Sequence, residues 1–128
     1  MKTLVTAAFA VLLTTFATLS VSAEVPYNQV QFDALRAAGK PVAVVFHADW
    51  CPTCRAQAPV LKQLTQSQEL QGITLFVANF DTETALKRSL GITKQSTIVV
   101  FKDGKESARS TGDTQPDTLN ELLRRAIS

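Results

Sequence analysis

A continuous apolar run rich in β-branched residues, Val42 to Phe46, is soon followed by Cys51 and Cys54 and then by a helical apolar period through Ala56, Val60, Leu61 and Leu64. The run is opened by Pro41 and reads as a strand buried on both faces, a central strand with helices above and below. Two cysteines at i and i+3 on the opening turn of the following helix bring their sulfurs within bonding range. They are the only cysteines in 128 residues, beside a single histidine, so zinc ribbons and multi-disulfide scaffolds are excluded. Lys+Arg 13 against Asp+Glu 11 leaves a formal charge of +2, too balanced to argue for nucleic acid or an anionic surface.

The rest of the chain supplies elements in an α-β-α-β-α-β-β-α order. Gln29 to Ala38 places Val30, Ala34, Leu35 and Ala38 on one helical stripe, with Asn28 as a cap and Gly39 at the end. Pro59 falls inside the helix over 52–66, where it should kink it. Ile73 to Phe80 is a second buried strand, and Glu83 to Leu90 a short helix with Ala85, Leu86 and Leu90 apolar, stopped by Gly91. Thr97 to Lys102, the turn pair Asp103-Gly104 and Lys105 to Ser110 form a hairpin whose second strand is polar. Pro116 to Ile127 closes the chain as a helix bearing Leu119, Leu122, Leu123 and Ile127, with Thr114 or Gln115 near its start. The expected class is α/β, a three-layer sandwich around a mixed sheet of about four strands.

The N-terminus carries a different signal. Lys2 provides a positive start, Leu4 to Leu19 is apolar and uncharged, and Val21-Ser22-Ala23 presents small side chains at the spacing a signal peptidase accepts. A membrane anchor is disfavoured because the stretch is marginal in length and diluted by Thr14, Thr15, Thr18 and Ser20. The expectation is a signal peptide over residues 1–23, cleaved after Ala23, and one domain over 24–128 in a bacterial periplasm, where a disulfide can persist.

The chemistry lies in Asp49-Trp50-Cys51-Pro52-Thr53-Cys54. Cys51 would sit where unpaired backbone N–H groups and the helix dipole favour an anion, which should lower its pKa. Cys54, a turn further in, is shielded and serves to resolve. The arrangement permits attack by the Cys51 thiolate on a substrate disulfide, a mixed disulfide, and release by Cys54. Pro52 suits an early helical position, and Thr53 completes the loop between the sulfurs. A purely structural disulfide is the weaker reading, because so small a loop restrains the unfolded chain little.

The segment Phe46-His47-Ala48-Asp49-Trp50-Cys51-Pro52-Thr53-Cys54-Arg55 resembles the active-site segment of the thioredoxin family. Ala58-Pro59, Asp81, Gly91-Ile92, Thr97 to Gly104 and Gly112 continue the resemblance through almost all of residues 24–128. It implies a thioredoxin-like fold and a thiol–disulfide oxidoreductase, with Cys51 attacking and Cys54 resolving. It implies no cofactor and no metal, and partners that are protein or small-molecule disulfides and dithiols. The segment before Asn28 looks too short for the family's first edge strand, so four strands are expected.

Two departures from the family stand out, and a nearby histidine adds a question. The loop facing the dithiol normally carries a cis-proline, and the aligned residue here is Ser96, whose hydroxyl could donate to the Cys51 thiolate or open the sulfurs to a metal. The buried aspartate and lysine usual beneath the resolving cysteine align with Val45 and Val77, so deprotonation of Cys54 must rely on water or a nearby group. His47 lies four residues before Cys51; its ring either faces the dithiol, making activity pH-dependent, or packs on Trp50 at the strand end. Trp50 is expected to shield the dithiol, while Asp49 and Arg55 read as solvated charges. The uncharged Pro52-Thr53 pair argues for a potential between strong reductants and strong oxidants.

The leading expectation is therefore an exported oxidoreductase, reductant or isomerase-like, served by a membrane redox partner and monomeric. The alternative is a binding module in which Cys51, Cys54 and His47 hold a soft metal, or in which a dimer shares an iron–sulfur cluster. A third is an interaction domain whose dithiol is idle.

Overall fold

The computed structural model describes residues 23–128. The export segment expected over residues 1–23 lies outside them except for Ala23, which opens the first strand. The elements are β1 (Ala23–Pro26), α1 (Gln29–Ala37), β2 (Val42–His47), α2 (Pro52–Thr65), a single 3-10 turn (Gln68–Leu70), β3 (Thr74–Asn79), α3 (Thr84–Leu90), β4 (Thr97–Lys102), β5 (Lys105–Thr111) and α4 (Pro116–Arg124). The sheet order is β1-β3-β2-β4-β5, with β1, β3 and β2 parallel and the β4–β5 hairpin antiparallel.

The central strands are those with unbroken apolar runs, as burial on both faces requires: β2 and β4 are each buried over five consecutive residues. The polar β5 takes an edge. The sheet has five strands, close to the four expected; the addition is β1, a four-residue edge strand whose Val25 packs against the core below α1. Pro26 is compatible with that place because an edge strand leaves one row of backbone groups unpaired.

The two faces of the sheet bury different chemistry. One packs α1 and α3 on Val42, Val44, Phe46, Phe76, Val99 and Phe101, and the other packs α2 and α4 on Ala43, Val45, Leu75, Ile98 and Val100. Local signals set the element ends. Asn28 caps α1 by accepting from the Gln31 N–H at 2.9 Å, and Gly91 ends α3 with φ 66. Asp103 and Gly104, at φ 52 and 79, turn the β4–β5 hairpin.

The helix faces correct the periodic reading at several positions. In α1 the buried residue is Phe32, with Leu35 partly covered, while Val30 is 79% exposed and Ala34 and Ala38 face solvent. Spacing alone does not weigh size, and a phenyl ring removes more apolar area from water than valine or alanine. In α2 the buried residues are Cys54, Gln57, Leu61 and Thr65, with Val60 and Leu64 partly covered and Ala56 exposed. Ala85 of α3 is exposed, and α4 ends at Arg124, so that Ala126 rather than Ile127 fills the core.

Candidate active site

The loop leaving β2 carries the chain to Cys51, which is the N-cap of α2: its backbone is extended, and its Sγ accepts the Cys54 N–H at 3.2 Å. Pro52 follows inside the first turn, where a missing N–H costs nothing, and Pro52 and Thr53 are exposed. Cys54 lies one turn along. Both cysteines are free thiols, 2% and 1% exposed.

Ser96, just before β4, closes the site from the opposite side. Its Oγ lies 2.9 Å from Cys54 Sγ and 3.4 Å from Cys51 Sγ, so one hydroxyl addresses both sulfurs. Every peptide bond among the described residues is trans, and Ser96 instead takes a left-handed conformation at φ 62. That conformation costs a residue with a Cβ about 1–2 kcal/mol, and main-chain bonds hold it: Ser96 N–H donates to Phe46 O at 2.8 Å, and Ser96 O accepts from Gly112 N–H at 3.1 Å.

The two thiols are driven apart. Burial opposes ionisation of Cys51. Hydrogen bonds from the Cys54 side chain, the Ser96 hydroxyl and the Cys54 and Thr53 backbone N–H groups outweigh it, so its pKa lies below that of an ordinary thiol. Burial pushes the Cys54 thiol up, and its bond to Cys51 adds to the rise against the opposing Ser96 hydroxyl. Cys51 is thus the sulfur prepared to be a thiolate, and Cys54 the one that keeps its proton.

Other residues singled out from the sequence sit around this pair rather than in it. The His47 ring does not turn to the dithiol: its Nε2 pairs with Asp49 Oδ1 at 3.0 Å. With Asp49, Trp50, Asn79 and Asp81 it lines a shallow cavity of about 380 Å³ beyond the ends of β2 and β3. Trp50 is 57% exposed and tethered by its indole Nε1–H to Asp81 Oδ2 at 2.8 Å. Arg55 is exposed, as expected. Val45 and Val77 are register partners on β2 and β3 and pack into the aliphatic core, so the two places that align with the family's aspartate and lysine are apolar here. With His47 turned away, two thiols and one hydroxyl converge, and no cluster of three His, Cys, Asp or Glu side chains suited to a metal occurs among the described residues.

One polar residue of the site escaped the sequence reading. Gln57, 1% exposed on α2, donates through Nε2 to Ser96 O at 3.3 Å and to Asp113 O at 2.7 Å. Its signal was a polar side chain at the i+3 position after Cys54, on the face of α2 that the second cysteine buries.

The chain has relatives in one known family. A match to the thioredoxin family spans residues 24–125. The chain is 35% identical over 82 residues to thioredoxin of Chlamydia muridarum, covering 64% of this chain and 78% of that protein. It is 33% identical over 94 residues to thioredoxin of Chlamydia pneumoniae, covering 73% and 89%. Among solved structures, Trxlp from Edwardsiella tarda superposes with a TM-score of 0.76 at 35% identity, over 79% of this chain and 98% of that one. A strand-end dithiol at a helix N-terminus, on this five-stranded frame and with these relatives, makes the chain a member of the thioredoxin family and a thiol–disulfide oxidoreductase built on the Cys51–Cys54 pair.

Proposed function

We propose that the protein is an exported reductant or isomerase-like oxidoreductase in which Cys51 attacks and Cys54 resolves. The opposed pKa shifts of the two thiols, with one Ser96 hydroxyl against both sulfurs, carry the roles given to Cys51 and Cys54. The Cys51 thiolate attacks one sulfur of a substrate disulfide, forming a Cys51–substrate bond and expelling the other substrate sulfur as a thiolate, which takes a proton from water. Cys54 loses its proton and attacks Cys51 Sγ. The Cys51–Cys54 disulfide forms, the second substrate thiolate leaves, and two electrons have passed from the dithiol to the substrate.

The second step needs a thiolate at the sulfur whose pKa is raised. With Val45 and Val77 apolar, the group beside Cys54 Sγ is Ser96 Oγ, which can donate its hydrogen to the sulfur as the thiol proton departs to water. The same donation stabilises Cys54 as the leaving group when the reaction runs in reverse.

The apolar stretch before Ala23 supports export and cleavage after Ala23 into a periplasm, where the substrates are protein or small-molecule disulfides and a membrane redox partner restores the dithiol; the chain works as a monomer. Cys54→Ser is expected to accumulate mixed disulfides with substrate, whereas Cys51→Ser forms none. Adducts on neither variant would overturn the assignment of roles. The equilibrium potential of the dithiol against a glutathione buffer tests the direction: a value as oxidising as that of strong disulfide donors would overturn the reductant reading.

A further inference from the structure

We infer that Gln57 is a positioning residue for the reaction: through Ser96 it sets how the serine hydroxyl meets the two sulfurs. The inference rests on the reading of Ser96 as a hydroxyl that serves the dithiol, and it adds the residue that holds Ser96 in place.

Gln57 and Cys54 are three residues apart on α2 and share its buried face. One rigid turn therefore carries both the sulfur that Ser96 Oγ meets at 2.9 Å and the amide that holds the Ser96 carbonyl at 3.3 Å. Ser96 is fixed at its N–H by Phe46 O on β2 and at its carbonyl by Gly112 N–H beyond β5. These two anchors tie Ser96 to the sheet. Gln57 ties its carbonyl to the helix bearing the thiols. Its second bond, 2.7 Å to Asp113 O, draws the segment after Gly112 against α2 as well, so two segments remote from each other in the chain converge on one amide.

A glutamine 1% exposed in mid-helix is not needed for helix formation or for apolar packing; leucine or methionine would serve both. Burial of an amide is tolerated where its hydrogens are used, and here both bonds go to loop carbonyls at the site. The left-handed backbone of Ser96 at φ 62 explains why a helix-side anchor matters: a serine leaving that conformation would swing Oγ away from the sulfurs. The hydrogen bonds of Gln57 go to Ser96 O and Asp113 O, so it acts on the sulfurs through the serine.

The test is a double-mutant cycle read as the alkylation rate of reduced Cys51 at pH 7, with circular dichroism confirming the fold of each variant. Gln57→Met keeps the side-chain length and removes both donors. It is expected to slow alkylation roughly two- to tenfold, the range of one hydrogen bond, and to shift the pH–rate profile toward higher pH. In a Ser96→Ala background the same substitution is expected to change nothing further. If Gln57→Met does not fold, Gln57→Asn keeps the amide but shortens its reach, and the same slowing and the same loss of effect are expected. Equal slowing with and without the serine hydroxyl, or no slowing in either, overturns the inference. If Ser96→Ala by itself leaves the rate unchanged, it is the reading of Ser96 that fails.

Discussion

The two faces of the sheet are both closely packed, yet they do different things. Under α1 and α3, Phe32 meets Tyr27, Phe76 and Phe101 edge-to-face with ring centroids 5.6, 5.5 and 5.5 Å apart, and the Arg36 guanidinium lies 4.2 Å over the Phe101 ring. Under α2 and α4 the core is aliphatic, and polar groups gather beside it at the N-terminus of α2: Cys51, Cys54, Ser96 and Gln57. The aromatic face holds the chain together through area and ring geometry, and it meets the dithiol end at Phe80, which packs against both clusters. The dithiol end is held by single hydrogen bonds that contribute little to folding but decide which thiol ionises. Stability and reactivity are therefore separable by substitution, and each prediction below probes that separation.

Cys51→Ser has the largest expected effect and acts chiefly on reactivity. Reduction of a test disulfide is abolished, while the melting temperature of the reduced chain stays close to that of the parent, since a hydroxyl nearly matches the thiol in size. A large fall in melting temperature would mean that the dithiol end also carries the fold. Phe101→Ala is the converse case. Removing a ring 1% exposed between Phe32 and Arg36 should cost about 3–5 kcal/mol in chemical denaturation and leave the Cys51 alkylation rate unchanged. A change in that rate would join the two faces. Ser96→Ala comes next, with alkylation of Cys51 slowed by about two- to tenfold and denaturation hardly altered, because the hydroxyl's contacts to the two sulfurs are lost while the backbone anchors of residue 96 remain.

The same contrast explains how much the sequence disclosed. The unbroken run Val42 to Phe46 and the i, i+3 cysteines after it are local signals, and they place β2, the start of α2 and the dithiol. The resemblance sets the apolar residues at 45 and 77 side by side, and the strand register pairs them. What stayed hidden depended on partners remote in the chain. Phe32 outranks Val30 because Phe76 and Phe101 are there to meet its ring. His47 turns to Asp49 rather than to Cys51, a choice between two neighbours that spacing leaves open. β1 is short and ends in proline, so its evidence is the parallel edge of β3. Gln57 is the clearest case: a buried amide makes sense only once the carbonyls of Ser96 and Asp113, brought from distant segments, are seen against it.

The smallest expected effect is the pH dependence that the two thiols impose on stability. In the folded chain the pKa of Cys51 lies below its unfolded value, so Cys51 contributes stability that is present above the unfolded pKa and lost as pH falls through the folded one. Cys54 has the opposite sign: its folded pKa is raised, so its contribution is present below the unfolded pKa and lost as pH rises through the folded one. The two contributions together give the reduced protein its greatest thiol-linked stability near the pKa of an unperturbed cysteine, about 8.5, with a decline on either side. Melting curves of the reduced chain and of Cys51→Ser and Cys54→Ser, compared between about pH 5 and 10, resolve the two limbs by difference. Cys51→Ser should remove the acid-side decline and Cys54→Ser the alkaline one. An acid-side decline of the same size in Cys51→Ser would mean that other groups produce it and that the thiolate at Cys51 is not stabilised by the fold.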